Sequence, residues 1–116
     1  LRGNRPKSIN DCHDDQRGHN PSENVLIYLF TEFGRRVKDN GSGTDHGAGG
    51  LSIVIGDPVK GGIYSEYPSL APEHLDDGDL KHNVDFRSVY STVAEKWLGL
   101  DATPIVGGKF EQLNFV

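Results

Sequence analysis

The sequence lacks the features that mark several common classes of protein. Cys12 is its one cysteine among 116 residues, so no internal disulfide can form and no cysteine cluster can hold zinc. Methionine is absent, and the chain opens on Leu1 without a charged segment followed by an apolar one. Because a natural reading frame begins with methionine, we expect a processed or truncated product.

Long apolar runs and concentrated positive charge are also missing. No apolar stretch of the sequence approaches the roughly 18 residues that a membrane-spanning helix requires. The net charge is -5, and apart from Arg35, Arg36 and Lys38 the basic residues are scattered. A nucleic-acid-binding protein would gather them into a stripe or patch. We therefore expect no membrane span and no nucleic-acid partner.

Short apolar runs predict the strands of an α/β protein. Residues 25–30 form a continuous apolar run, which is typical of a buried central strand in a mostly parallel sheet covered by helices on both faces. Residues 51–55 predict a second strand that ends at a turn over 56–58, and residues 61–64 predict a short edge strand. Residues 1–23 are polar without apolar periodicity, so we expect a frayed helix or disorder there.

Apolar residues at helical spacing predict a helix over 86–98. Asp85 is positioned to cap this helix and Gly99 to end it. The face expected to pack on the sheet consists of Phe86, Val89, Tyr90, Val93, Ala94, Trp97 and Leu98, whereas Arg87, Ser88, Ser91, Glu95 and Lys96 are expected to face away. The mildly apolar tail over 110–116 is expected to pack back on the fold.

A glycine-rich segment over 31–50 contains the first candidate site. It shows no helical or strand period, and a loop of this length within a compact domain is usually functional. Glu32 follows the strand predicted over 25–30, at the sheet edge where α/β folds bind ligands, and so suits a metal ligand or general base. Arg35 beside it suits an oxyanion partner. A salt bridge between Glu32 and Arg35 or Arg36 is the alternative interpretation.

Asp45 and His46 form the second candidate pair in this segment. Aspartate and histidine are common ligands of zinc and manganese, and adjacent residues can serve one ion only from a non-helical loop. Backbone N–H groups of a glycine-rich loop can also form an anion-binding nest. The residues of this predicted nest are Asn40, Gly41, Gly43, Thr44 and Gly47. The alternative interpretation is a solvated glycine-rich turn.

The segment over 31–50 reads Thr-Glu-Phe-Gly-Arg-Arg-Val-Lys-Asp-Asn-Gly-Ser-Gly-Thr-Asp-His-Gly-Ala-Gly-Gly. This order resembles the signature of a bacterial family known as domain of unknown function 1501. Further similarity to the C-terminal half of that family lies over 59–68, 78–80, 85–93 and 97–100. The resemblance therefore covers 24–116.

The resemblance implies a fold of the alkaline phosphatase and sulfatase type, which is a three-layer sandwich around a mostly parallel sheet. Residues 24–116 would be the C-terminal part of that domain. Members of the superfamily hold one or two metal ions through aspartate and histidine and transfer phosphoryl or sulfuryl groups. For this chain, the resemblance implies a divalent metal (zinc, manganese or calcium) and a small anionic ester as substrate. It also implies a missing N-terminal half that carries the nucleophile, and a periplasmic or exported origin.

Two functional hypotheses follow from the residues and the resemblance together. In the first, the chain is part of a metal-dependent hydrolase of phosphate or sulfate esters and is inactive by itself. Asp45, His46 and Glu32 would converge on a metal at the exit of the strand over 25–30, and Arg35 would steady the anion. In the second, the protein is a non-catalytic exported binding or structural protein that keeps the same fold.

Overall fold

The computed structural model describes Ile9, Asp11 and residues 22–116. The frayed helix or disorder expected over 1–23 lies almost wholly outside these residues. The chain divides into two compact units. Of the described residues, the first unit contains Ile9, Asp11 and residues 22–29 together with Ile53–Val59, and the second contains Phe30–Ser52 together with Lys60–Val116.

Short elements make up the described part of the chain. In chain order they are β1 (Ile27–Phe30), β2 (Gly34–Asp39), β3 (Thr44–Gly47), β4 (Ser52–Ile55), α1 (Phe86–Thr92) and α2 (Thr103–Val106). Single turns of 3-10 helix lie at Ser22–Asn24 and Pro72–His74, and a π-helical turn over Val93–Trp97 extends α1. No helix in the described residues is long and apolar enough to cross a membrane.

Strand β1 pairs with β4, and tight turns flank both strands. The Val25 amide donates to the Ser22 carbonyl at 3.1 Å, and the Val59 amide donates to the Gly56 carbonyl at 3.2 Å. A side chain at Gly56 would place its Cβ 2.8 Å from the Val25 carbonyl oxygen, so glycine is required by close packing. The second strand and the turn after it, both predicted from the sequence, are confirmed.

The predicted three-layer α/β sandwich around a mostly parallel sheet is wrong for the residues that the structure describes. Their strands form two separate two-stranded sheets, β1 with β4 and β2 with β3, and the second is an antiparallel hairpin. The run over 25–30 is not a buried central strand: its residues are partly exposed, and Phe30 is 67% exposed. Apolar residues at every position cannot distinguish a strand covered on both faces from one that is not.

The glycine-rich segment forms a hairpin rather than the long loop that was predicted. Gly34 pairs with Gly47, Arg35 with His46 and Asp39 with Thr44, and the register is irregular between Arg35 and Asp39. The Asn40 amide donates to the Gly43 carbonyl at 2.7 Å and closes the turn. The left-handed φ of 97° at Gly41 and 144° at Gly43 explain why glycine occupies both positions of this turn. The edge strand predicted over 61–64 is absent, since these residues form bends and irregular backbone.

The predicted helix is confirmed with its cap, but its buried face differs from the prediction. The Asp85 carboxylate accepts a hydrogen bond from the Arg87 amide at 2.9 Å, and the helical residues end before Gly99, whose φ is 68°. Phe86 is 63% exposed and Leu98 is 53% exposed, although both were expected to be covered. The buried residues of this helix are Ser88, Val89, Ser91, Thr92 and Ala94.

The C-terminal tail explains this polar buried face. The Leu113 amide donates to Thr92 Oγ1 at 2.9 Å, and Gln112 Nε2 donates to Ser91 Oγ at 2.5 Å. Phe115 is buried, and its ring meets Tyr64 edge to face at 5.9 Å between centroids. The expectation that the tail packs back is therefore confirmed, and the serine and threonine side chains of the helix are what it packs on.

Candidate functional site

One face of the β2–β3 hairpin brings two of the predicted site residues together. Arg35 and His46 are directly opposite each other in the register, so their side chains lie on the same face. Arg35 Nη1 donates to the Thr44 carbonyl at 2.8 Å, which fixes the direction of the guanidinium. The His46 ring lies against Phe33, with 5.1 Å between ring centroids. Arg35, His46 and Phe33 are all exposed, and we call them the Arg35–His46 face.

Asp45 lies on the other face of the hairpin. Successive side chains of a strand point to opposite faces, and Asp45 precedes His46 within β3. Its Oδ1 accepts a hydrogen bond from Asn40 Nδ2 at 2.8 Å. The structure therefore separates the aspartate from the histidine that it adjoins in sequence.

The described residues do not fit a metal site made by Asp45, His46 and Glu32. Among Ile9, Asp11 and residues 22–116, no three His, Cys, Asp or Glu side chains are grouped so that they could hold an ion. Glu32 is exposed in the bend between β1 and β2. The alternative salt bridge is not found either: Arg35 contacts the Thr44 carbonyl, and Arg36 donates to the Asp77 carbonyl.

The turn over 40–43 uses its own backbone donors. The Gly41 amide donates to Asp39 Oδ1 at 2.6 Å, and the Ser42 amide donates to Asn40 Oδ1 at 3.0 Å. The Asn40 amide is bonded to the Gly43 carbonyl. An anion-binding nest needs several such N–H groups free to converge on one ligand. At Asn40 and Gly41, two of the five predicted nest residues, the N–H groups are already satisfied within the turn.

Asp79 fixes the base of the hairpin, and sequence reasoning gave it no role. Its carboxylate accepts from the Ala48 amide at 2.9 Å and from the Leu80 amide at 2.8 Å. A Cβ at Gly47 would lie 2.3 Å from Asp79 Oδ1 and 3.0 Å from backbone atoms of Arg35 and Arg36, so a side chain there would displace the Asp79 carboxylate. The sequence offered one indication of this residue, the family resemblance over 78–80, but nothing in that resemblance distinguishes Asp79 from its neighbours.

A second polar cluster surrounds the start of α1. Arg87 forms two hydrogen bonds with the Asp85 carboxylate, at 2.9 and 2.7 Å, and its guanidinium lies 4.4 Å from the centroid of Phe110. The side-chain hydrogen bond from Arg87, with that from its backbone amide, lowers the pKa of Asp85 to about 2. His82 and Lys109 line an open cavity of about 360 Å³ beside this pair. The sequence predicted only that Arg87 faces away from the sheet, since its contact with Phe110 joins residues that are distant in the chain.

The fold and the site define a small chain of hairpins and short helices with an exposed arginine–histidine face. A family model described as "Protein of unknown function (DUF1501)" matches residues 15–111. The chain belongs to this family, and the resemblance inferred from the sequence is confirmed at that level. No curated protein matches the chain, and no solved structure matches it.

Proposed function

We propose that this chain supplies an anion-contacting face to a hydrolase of phosphate or sulfate esters. The observation that carries the proposal is the pairing of Arg35 with His46 across the exposed face of the hairpin. A guanidinium matches the geometry of phosphate and sulfate oxygens, and an imidazole N–H adds a further donor. In this proposal the two side chains bind the anionic group of the ester.

The neighbours of both side chains favour this role. The Thr44 carbonyl holds one donor of Arg35, and no other hydrogen bond of its guanidinium is found in the described part of the chain. Phe33 packs on the His46 ring, which limits the orientations of the imidazole. Side chains held in this way lose less conformational freedom when they bind a ligand.

The reaction class rests on the likeness of residues 29–47 to the segment of the alkaline phosphatase and sulfatase superfamily in which Asp-His-Gly follows a strand. The nucleophile would come from an N-terminal half of the same protein, outside these 116 residues. A divalent metal stays a prediction, and no step of the proposal depends on it. With Asp45 and His46 on opposite faces, the two side chains do not share one ion in this conformation.

Anion binding by the chain itself is the first test. Titration calorimetry with phosphate and with sulfate should show binding that Arg35→Ala weakens by about ten- to a hundredfold, since hydrogen bonds to charged groups contribute about 1.5–3 kcal/mol. His46→Ala should weaken binding in the same direction. Lys38→Ala is the matched control, because Lys38 is an exposed cation on the same strand. Equal affinities for the Arg35 and Lys38 variants would contradict the proposal.

Hydrolysis is tested in a longer protein that contains this chain. Turnover of p-nitrophenyl phosphate or sulfate, with zinc, manganese or calcium added in turn, should fall with Arg35→Ala and not with Lys38→Ala. Metal content is a separate measurement: Asp45→Ala combined with His46→Ala should lower it if these residues are ligands. Unchanged metal in that double variant would remove both from the ligand set.

The second candidate is a non-catalytic exported binding or structural protein. The observation in its favour is that the described residues contain no group of three metal-ligating side chains. Anion binding that depends on Arg35, without turnover of either ester under any of the three metals, would favour this candidate over the hydrolase.

A further inference from the structure

The tip of the β2–β3 hairpin carries an asparagine followed by a glycine. Asn40 and Gly41 are both exposed, and a Cβ built at Gly41 would have no neighbour within 4 Å. In an Asn-Gly pair the backbone nitrogen of the glycine can attack the side-chain amide carbon, because no side chain on the second residue obstructs the approach. The surroundings of these two residues decide how readily the attack occurs.

A carboxylate contacts the attacking nitrogen. The Gly41 N–H donates to Asp39 Oδ1 at 2.6 Å. An amide nitrogen becomes a nucleophile only as it loses its proton, and a carboxylate at hydrogen-bond distance can accept that proton. Asp39 therefore stands in the position of a general base toward Gly41.

Two donors contact the carbonyl that would be attacked. Asn40 Oδ1 accepts from the Ser42 amide at 3.0 Å and from Ser42 Oγ at 3.2 Å. Attack on the side-chain carbon moves negative charge onto this oxygen, and donors already directed at it stabilise the charge. Asp39 thus activates the attacking Gly41 nitrogen, and the Ser42 donors stabilise the charge that the attack places on Asn40 Oδ1.

We propose that Asn40 is a site of self-catalysed deamidation. The Gly41 nitrogen forms a bond to Asn40 Cγ while its proton passes to Asp39. The Cγ–Nδ2 bond then breaks, the proton is returned to the leaving nitrogen, and ammonia departs from a five-membered succinimide ring. Solvent water opens the ring at either carbonyl and leaves an aspartyl or an isoaspartyl residue at position 40.

The product changes the contacts of Asp45. Asn40 Nδ2 donates to Asp45 Oδ1 at 2.8 Å, and deamidation replaces this donor by a carboxylate. Two carboxylates at this separation repel each other. The isoaspartyl product also lengthens the backbone of the turn. The reaction therefore loosens the hairpin tip and releases the aspartate that precedes His46.

The test compares the folded chain with two unfolded references. The chain is incubated at neutral pH in ¹⁸O-labelled water, and label at position 40 is followed by peptide mass spectrometry. The references are the urea-unfolded chain and a peptide covering residues 35–47. We expect the folded chain to react faster by about tenfold, less than the hundredfold of a well-positioned buried base because Asp39 is exposed. A folded rate equal to or below the peptide rate would overturn the proposal.

Two variants assign the chemistry to the turn. Asp39→Asn keeps an oxygen acceptor for the Gly41 amide but removes the base, so its folded rate should fall to the peptide rate. Ser42→Ala removes one of the two donors and should give an intermediate rate. Asn83 and Asn114, which precede valine and phenylalanine, are internal controls that should remain unlabelled. Circular dichroism checks that each variant is folded, and a folded Asp39→Asn chain reacting at the unmodified rate would refute the base assignment.

Discussion

Replacing Thr92 by valine tests whether polar side chains of α1 hold the C-terminal tail. The Thr92 side chain is fully buried, and its Oγ1 accepts from the Leu113 amide at 2.9 Å and donates to the Ser88 carbonyl at 2.7 Å. Valine has nearly the same shape, so the change removes both hydrogen bonds without leaving a cavity. The Leu113 amide would then lose its partner in a partly buried position, which costs about 1–3 kcal/mol.

Urea unfolding, followed by Trp97 fluorescence and circular dichroism, measures the loss of stability. We expect the free energy of unfolding to fall by about 1–3 kcal/mol, and protease cleavage in the tail to become faster. Thr31→Val is the matched control, because Thr31 is exposed and its hydroxyl accepts one amide bond at 3.1 Å. That variant should change stability by less than about 0.5 kcal/mol. A Thr92→Val chain as stable as the control, with an equally protected tail, would refute the reasoning.

Three further predictions concern the hairpin base, the helix start and the isolated chain. Gly47→Ala should lower stability by about 1–3 kcal/mol by forcing a side chain onto Asp79, while Gly61→Ala, with open space around it, should be neutral in the same urea titration. The pKa of Asp85 is lowered from 3.8 to about 2. The stability contributed by its pairing with Arg87 should therefore be complete above about pH 4 and disappear as the pH falls towards 2. If Asp85→Asn left the acid unfolding curve unchanged, this expectation would be contradicted. The many exposed large apolar side chains predict association of the isolated chain, and a sedimentation measurement showing a monomer with a sharp cooperative melt would disagree.

Local signals in the sequence predicted the elements whose causes are local. The cap at Asp85, the helix after it and the turn after β4 each depend on residues within a few positions of one another. The hairpin was missed because its glycines masked the strand alternation, although Asn40 followed by Gly41 is itself a hairpin signal. The glycines were interpreted as giving a loop its flexibility, whereas Gly47 leaves room for the Asp79 carboxylate beside the strand.

The remaining errors arise from contacts between distant parts of the chain. Ser88 and Ser91 were expected to face away from the sheet because they are polar, yet both are buried, and the tail gives Ser91 a hydrogen-bond partner in Gln112. For the candidate site, the sequence showed that Arg35 and His46 belong to one glycine-rich segment. It could not indicate that they share a face while Asp45 does not, because that depends on strand register.

The paired glycines at the hairpin base determine which side chain is opposite Arg35. A Cβ at Gly34 would lie 2.3 Å from the Gly49 carbonyl oxygen and 2.5 Å from that of Gly47, so only glycine is accommodated where these backbones meet. A one-residue slide of β3 that turned Asp45 towards Arg35 would put His46 in the place of Gly47, where a Cβ lies 2.3 Å from Asp79 Oδ1. Gly34 and Gly47 therefore oppose this change of strand register. They select histidine, rather than aspartate, as the partner of the arginine.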